Sequence, residues 1–252
     1  MPRCYLALGG NVGDVEKTFE TALARLANVA PAEVTRVSPI CRTRAVGAHS
    51  GGEFRNAAAE IETALEPLAL LDVLQDLERR AGRTPGERWS PRPLDLDLIF
   101  YADQTIDHPR LCVPHPACWY RRFVLDPLAL IAADVRHPVK GLTVAELRSR
   151  LLSRPLRLAL AGSTLTERQR LKRALSTAAD FVEIANSAEI VDWQAGHAAD
   201  GEPAILAWLG PASEPNAVST EFLALPLVPR LDASKTADPA AFLRDVLQAA
   251  LG

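Results

Sequence analysis

The sequence predicts an α+β fold: a β-α-β-β-α-β domain over residues 1–155, followed by a smaller α/β domain over 156–252. Three observations carry this. Hydrophobic spacing alternates between the two-residue and helical periods along the first part. The 252 residues exceed one ordinary domain. Composition also shifts near Ser153-Arg154-Pro155: residues 1–155 hold 20 Lys+Arg against 19 Asp+Glu, while 156–252 hold 8 against 12, and all four Cys lie in the first part. Pro155 discourages continuation of the amphipathic run Thr143–Leu152.

Taken in order, Arg3–Leu8 reads as a strand halted by Gly9-Gly10-Asn11, a turn signal. Val15–Val29 is helical, with Phe19, Leu23 and Leu26 along one side. Val34–Thr43 and Phe54–Ala64 read as strands. A helix then starts at Glu66-Pro67, with Pro in the first turn where its missing N–H costs little, and runs to Ala81-Gly82. Leu94–Tyr101 is a strand and Val124–Ala133 a short helix. This order resembles the ferredoxin-like split βαβ arrangement. Past Pro155, Leu156–Ala161 reads as a buried strand ending at Gly162-Ser163-Thr164, followed by a helix to Ala179. The apolar runs Ala204–Leu209 and Phe222–Val228 and a closing helix Pro239–Leu251 complete an α/β layer.

Composition narrows the class. Hydrophobic residues at 48% and charged residues at 23% are globular proportions. A net charge of −3 weighs against a nucleic-acid partner. No apolar run approaches the roughly 20 residues that span a bilayer. The N-terminus shows no secretory h-region, and Cys4, Cys41, Cys112 and Cys118 form no CxxC pair. The expectation is a cytoplasmic protein with no membrane partner.

The densest chemical signal runs from Glu78 to Ile99. Arg79, Arg80, Arg83, Arg88 and Arg92 fall within fourteen residues, opposed there only by Glu87. Gly82, Pro85, Gly86, Pro91 and Pro93 make the stretch a loop rather than a helix or central strand. Guanidinium groups suit phosphate oxygens, because their fork donates parallel hydrogen bonds and stays charged. Trp89 is placed to cover an aromatic base. On the strand that follows, Asp95 and Asp97 share one face while Leu96 and Leu98 point to the core. Two adjacent carboxylates are hard oxygen ligands suited to Mg²⁺, which completes its shell from substrate phosphates. A D-x-D on a strand is by itself also compatible with a solvated sheet face.

With these residues in hand, the first ~140 positions resemble the 6-hydroxymethyl-7,8-dihydropterin pyrophosphokinase family. The resemblance rests on Arg88-Trp89-Ser90-Pro91-Arg92-Pro93-Leu94-Asp95-Leu96-Asp97-Leu98-Ile99. Three further segments fall in the family's order: Leu6-Ala7-Leu8-Gly9-Gly10-Asn11, Phe54-Arg55-Asn56-Ala57-Ala58, and Val113-Pro114-His115-Pro116 with Arg121-Arg122-Phe123-Val124-Leu125. It implies transfer of pyrophosphate from ATP to the pterin's hydroxymethyl oxygen, with release of AMP, in folate biosynthesis. By match to the family, Asp95 and Asp97 hold two Mg²⁺, and Arg83 and Arg92 neutralise the polyphosphate. His115 contacts it from the other side, and Arg121 lies near the closing site. Leu71, Gln75, Glu78, Leu98, Arg110 and Leu111 match the nucleotide pocket, with Trp89. Phe54 and Phe123 match an aromatic pair stacking the pterin, Asn56 the residue that reads its edge, and Thr43 and Val46 the loop closing over it. This chain departs from the family at Ser90, at Thr84-Pro85, at Phe54 for a frequent Tyr, and at Arg44-Ala45 for a frequent Pro-Pro.

Two functional readings stand at this point. One is the ATP-dependent enzyme; the other is a catalytically inactive fold-mate that binds nucleotide or pterin and regulates or scaffolds through its C-terminal domain. The C-terminal elements resemble a shortened nucleoside or nucleotide kinase, but Gly162-Ser163-Thr164-Leu165-Thr166-Glu167 has neither the second Gly nor the Lys of a phosphate loop. The expected role there is structural, with a homodimer formed through it.

Overall fold

A computed structural model describes residues 1–28, 32–44, 52–83, 91–177, 187–193, 202–210 and 229–252. The chain is mixed α/β and divides into two compact units, Met1–Arg148 with Gly252, and Ser149–Leu251.

The first unit is built on one antiparallel sheet. Strands β1 (Arg3–Gly10), β2 (Ala32–Val37), β4 (Phe54–Thr63) and β5 (Asp95–Tyr101) lie in the order β2-β4-β1-β5, and short β3 (Cys41–Thr43) also pairs with β4. Helix α1 (Val15–Ala27) follows β1 and starts where the Asp14 carboxylate accepts the Lys17 N–H at 3.1 Å. Helix α2 (Pro67–Arg80) follows β4 with Pro67 in its first turn, as the sequence predicts. Strand alternation then divides the side chains. Leu6, Leu8, Ala57, Ala59, Leu96 and Leu98 enter a core with Phe19, Leu26, Leu70 and Leu74 of the two helices. Ala7, Gly9, Asn56, Asp95 and Asp97 fall on the opposite face. Helix α3 (Arg122–Ala132) packs on part of that face against β4.

The predicted strand Val34–Thr43 is in fact two. Ser38-Pro39-Ile40 separates β2 from β3, because Pro39 has no N–H for the ladder. Ser38 bridges the gap: its N–H donates to the Ala58 carbonyl at 2.8 Å and its Oγ accepts the Ala58 N–H at 2.9 Å. Beyond β5 the chain forms a hairpin, β6 (Ile106–His108) and β7 (Leu111–Val113), then a 3₁₀ turn, Cys118–Tyr120. Neither is visible in hydrophobic periodicity.

The division between units falls inside α4 (Val144–Leu152). The second unit carries a parallel sheet in the order β11-β10-β8-β9, made of β8 (Leu156–Ala161), β9 (Ala188–Asp192), β10 (Ile205–Trp208) and β11 (Arg230–Asp232). Helices α5 (Leu165–Thr177) and α6 (Pro239–Leu251) accompany it. Its central strands are buried almost throughout, as parallel strands are. The sequence missed β9 and β11, and the run Phe222–Val228 lies outside the described residues. At the Gly162-Ser163-Thr164 turn a capping box closes α5: Glu167 Oε2 accepts the Thr164 N–H (3.1 Å) and Thr164 Oγ1 accepts the Glu167 N–H (3.2 Å). The amides of this turn are thus taken up within the chain: Thr164 N–H by the Glu167 carboxylate, Glu167 N–H by Thr164 Oγ1 and Ser163 N–H by the Gly210 carbonyl.

Candidate active site

Pairing register assembles the site floor. Asn56 of β4, Gly9 of β1 and Asp95 of β5 lie in one row across three strands, and Ala58, Ala7 and Asp97 in the next. Neighbouring strands stand roughly 4.8 Å apart, so Asn56 and the aspartates face each other across about 10 Å of sheet. Gly9 puts no side chain between them; a Cβ there would make ordinary contacts with Asn56 Oδ1 at 3.4 Å and Asp95 Cβ at 3.8 Å.

Two cavities adjoin this floor. A smaller one, about 220 Å³, is lined by Thr43, Phe54, Asn56 and Phe123 together with Arg92 and Arg121. A larger one, about 610 Å³, is lined by Leu71, Gln75, Glu78, Leu98, Arg110 and Leu111. Arg83, Asp95, Asp97 and His115 line both, so they form the wall where the cavities meet. Every predicted site residue within the described part of the chain falls on one of these surfaces. Val46 and Trp89 lie outside the described residues, as do Thr84, Pro85 and Ser90.

The smaller cavity suits a flat polar ring. Phe54 and Phe123 are only half-buried, unlike core Phe residues. Asn56, 5% exposed, donates from Nδ2 to Thr43 Oγ1 at 2.8 Å, which turns Oδ1 over Gly9 as an acceptor. The Arg121 guanidinium stands 5.5 Å from the Phe123 ring centroid. At the rim of the larger cavity, Arg110 is ion-paired with Asp72.

The shared wall is a charge network. Arg83 pairs with Glu78 and reaches Asp95 Oδ1 at 2.6 Å, and Arg92 reaches the same oxygen at 3.1 Å. Glu78 also accepts the Leu96 N–H at 2.7 Å, which ties the end of α2 to the strand carrying both aspartates. Burial pushes the Glu78 carboxyl up to about 7, against the pull of the Leu96 N–H and Arg83. Burial likewise raises Asp97; His115 opposes the rise and Asp95 adds to it. Asp97 keeps 37% of its side chain open to the cavity, so water damps that push. His115 Nδ1 accepts the Ala117 N–H at 3.2 Å, which leaves the proton of the neutral ring on Nε2, 3.9 Å from Asp97 Oδ2. Burial holds His115 below its ordinary value despite that carboxylate.

Among the described residues no three or more His, Cys, Asp or Glu side chains are arranged to hold a metal ion by themselves. A cation here would take Asp95 and Asp97 and fill its remaining positions from a ligand. Two hard carboxylates with mutual repulsion to relieve fit Mg²⁺ carried in on phosphates.

The 7,8-dihydro-6-hydroxymethylpterin-pyrophosphokinase (HPPK) family model matches residues 5–133, just over half the chain. This chain belongs to that family. A 2-amino-4-hydroxy-6-hydroxymethyldihydropteridine pyrophosphokinase of Synechocystis sp. is 44% identical over 142 residues, covering 56% of this chain and 72% of that protein. The Bacillus subtilis protein of the same description is 44% identical over 131 residues, covering 52% and 78%. A solved Plasmodium falciparum HPPK-DHPS chain is a more distant likeness: TM-score 0.44 and 12% identity, over 82% of this chain and 61% of that one. Within the HPPK unit, sequence reasoning left Ala7 and Gly9 without a role, although both stand in the quoted Leu6–Asn11 segment. Arg44 and Val124 of the smaller cavity were noted only as a departure and as part of a family segment, with no role given, and Cys112 of the larger one carried no signal in the sequence.

Proposed function

We propose that the chain transfers the pyrophosphoryl group of ATP to the hydroxymethyl oxygen of 6-hydroxymethyl-7,8-dihydropterin, releasing AMP, in folate biosynthesis. The observation that carries this is the meeting of a smaller cavity lined by Phe54, Phe123 and Asn56 with a larger one at a shared wall, where Arg83 and Arg92 cap Asp95 beside Asp97 and His115. In this reading Phe54 and Phe123 hold the pterin ring and Asn56 reads its edge. The larger cavity holds the nucleotide between Leu71, Leu98 and Leu111, with Gln75, Glu78 and Arg110 at its polar side. Asp95 and Asp97 would hold two Mg²⁺, whose charge would offset the phosphates. The hydroxymethyl oxygen attacks the β-phosphorus, its proton passes to solvent water, and the bond from the β-phosphorus to the α–β bridging oxygen breaks, that oxygen and its electron pair leaving with AMP. Arg83, Arg92, Arg121 and the His115 Nε2–H stand where negative charge grows on the phosphate oxygens, so the protein's contribution is positioning and neutralisation.

The supporting architecture in this reading is a ferredoxin-like domain over 1–155 and a small α/β domain over 156–252. Cys4, Cys41, Cys112 and Cys118 are all free, which suits a reducing cytoplasm, and no described helix is long and apolar enough to cross a membrane.

The decisive assay is AMP release from ATP with Mg²⁺ and the hydroxymethyldihydropterin. Pterin-dependent AMP from wild type should drop at least about 10³-fold in Asp97→Ala. AMP from neither protein, with ATP still bound, would return the chain to a binding role.

A further inference from the structure

The Leu6–Asn11 segment ends on a residue that lines neither cavity. Asn11 makes two reciprocal hydrogen bonds with Arg92, eighty-one positions away: its N–H donates to the Arg92 carbonyl at 3.0 Å, and its Oδ1 accepts the Arg92 N–H at 2.9 Å. Gly10 permits the close approach. A Cβ there would stand 2.6 Å from the Pro93 carbonyl oxygen and 3.1 Å from Val15 Cγ1, so any other residue would push the 92–93 backbone away. The Arg92 backbone is thus held at both of its polar groups by the exit of β1. Its side chain, 14% exposed, then reaches Asp95 Oδ1 at 3.1 Å.

We propose that Asn11 is a positioning residue: its two-bond clamp on Arg92 fixes where that guanidinium stands relative to Asp95 and to a bound phosphate. The inference rests on the pyrophosphokinase reading for its chemistry. The physics is general. A long side chain aims reproducibly only if its own backbone is fixed, and small displacements of a charged group at a reacting centre are costly. Asn suits the task because its carbonyl oxygen takes the Arg92 N–H while its backbone N–H remains available to the Arg92 carbonyl.

A four-protein cycle of wild type, Asn11→Ala, Arg92→Ala and the double variant tests it, reading both kcat for AMP release and the dissociation constant for ATP with Mg²⁺. Asn11→Ala should lower kcat on the order of 10- to 100-fold. The pterin KM should stay within about twofold, as for an interaction acting at the phosphates. Adding Asn11→Ala to Arg92→Ala should cost little more, because the clamp acts through the Arg92 guanidinium. Asn11→Asp keeps the acceptor and should recover most of the rate. If Asn11→Ala does not fold, Asn11→Ser, whose hydroxyl stops short of the Arg92 N–H, takes its place in the cycle. Losses that multiply in the double variant, or no loss in the single one, overturn the proposal. If wild type yields no pterin-dependent AMP, the enzymatic reading fails, and the ATP-affinity cycle alone decides the clamp by the same criterion.

Discussion

His137 shows how a side chain that lines neither cavity can impose a pH dependence. It is 3% exposed, stands edge-on to Phe100 with ring centroids 5.7 Å apart, and accepts the N–H groups of Val139 and Lys140 at Nδ1, each at 3.2 Å. Burial and the Lys140 charge push its pKa down to about 4. A folded value below the unfolded one means that the neutral ring is favoured by folding. The stabilisation is therefore whole above the ordinary value of about 6.5 and is lost as pH falls toward 4. Its size, taken from that shift, is on the order of 3 kcal/mol. Asn in its place keeps an acceptor that does not titrate. Urea unfolding at several pH values should show wild type losing stability relative to His137→Asn between pH 7 and 4; parallel curves would show that the ring titrates normally.

Strand β1 makes the corresponding case for an element. Its alternation sends Leu6 and Leu8 to the core and lays Ala7 and Gly9 under the smaller cavity, so one strand serves both layers. Gly9→Ala would add only ordinary contacts, at 3.4 and 3.8 Å, and should leave the pterin KM nearly unchanged. Gly9→Leu would fill the floor between Asn56 and Asp95. It should raise that KM by on the order of tenfold or more while ATP affinity holds, since uniform binding is lost on the pterin side alone. Equal losses of both ligands would mean that the strand itself had shifted. Strand β5 was legible from sequence because Asp-Leu-Asp-Leu alternates cleanly, and α2 because its leucines recur at helical spacing. The break at Ser38-Pro39 was hidden inside a run that still looked alternating, and the three-residue strands β6 and β7 are too short to show any period. The convergence of Phe54 with Phe123 came only through family resemblance. The Glu78–Leu96 and Asn11–Arg92 bonds are products of strand register and backbone approach, which side-chain chemistry read along a chain does not encode.

For the whole molecule, two compact units on one chain have a thermodynamic consequence. A ligand stabilises the structure that binds it by RT ln(1 + [L]/Kd), about 2.7 kcal/mol at a hundredfold excess over Kd. Among the described residues, every one lining the two cavities belongs to Met1–Arg148, while the second sheet, β11-β10-β8-β9, has its own buried strands. Calorimetry with saturating ATP, Mg²⁺ and pterin should therefore raise one unfolding transition by several degrees, and leave a second where it was. Leu158→Ala, which empties part of the buried β8 core, should lower only the second transition, at a cost of about 2–5 kcal/mol. A single transition that moves as one under both perturbations would show that the units unfold cooperatively, and that stability in the second sheet is coupled to ligand in the first.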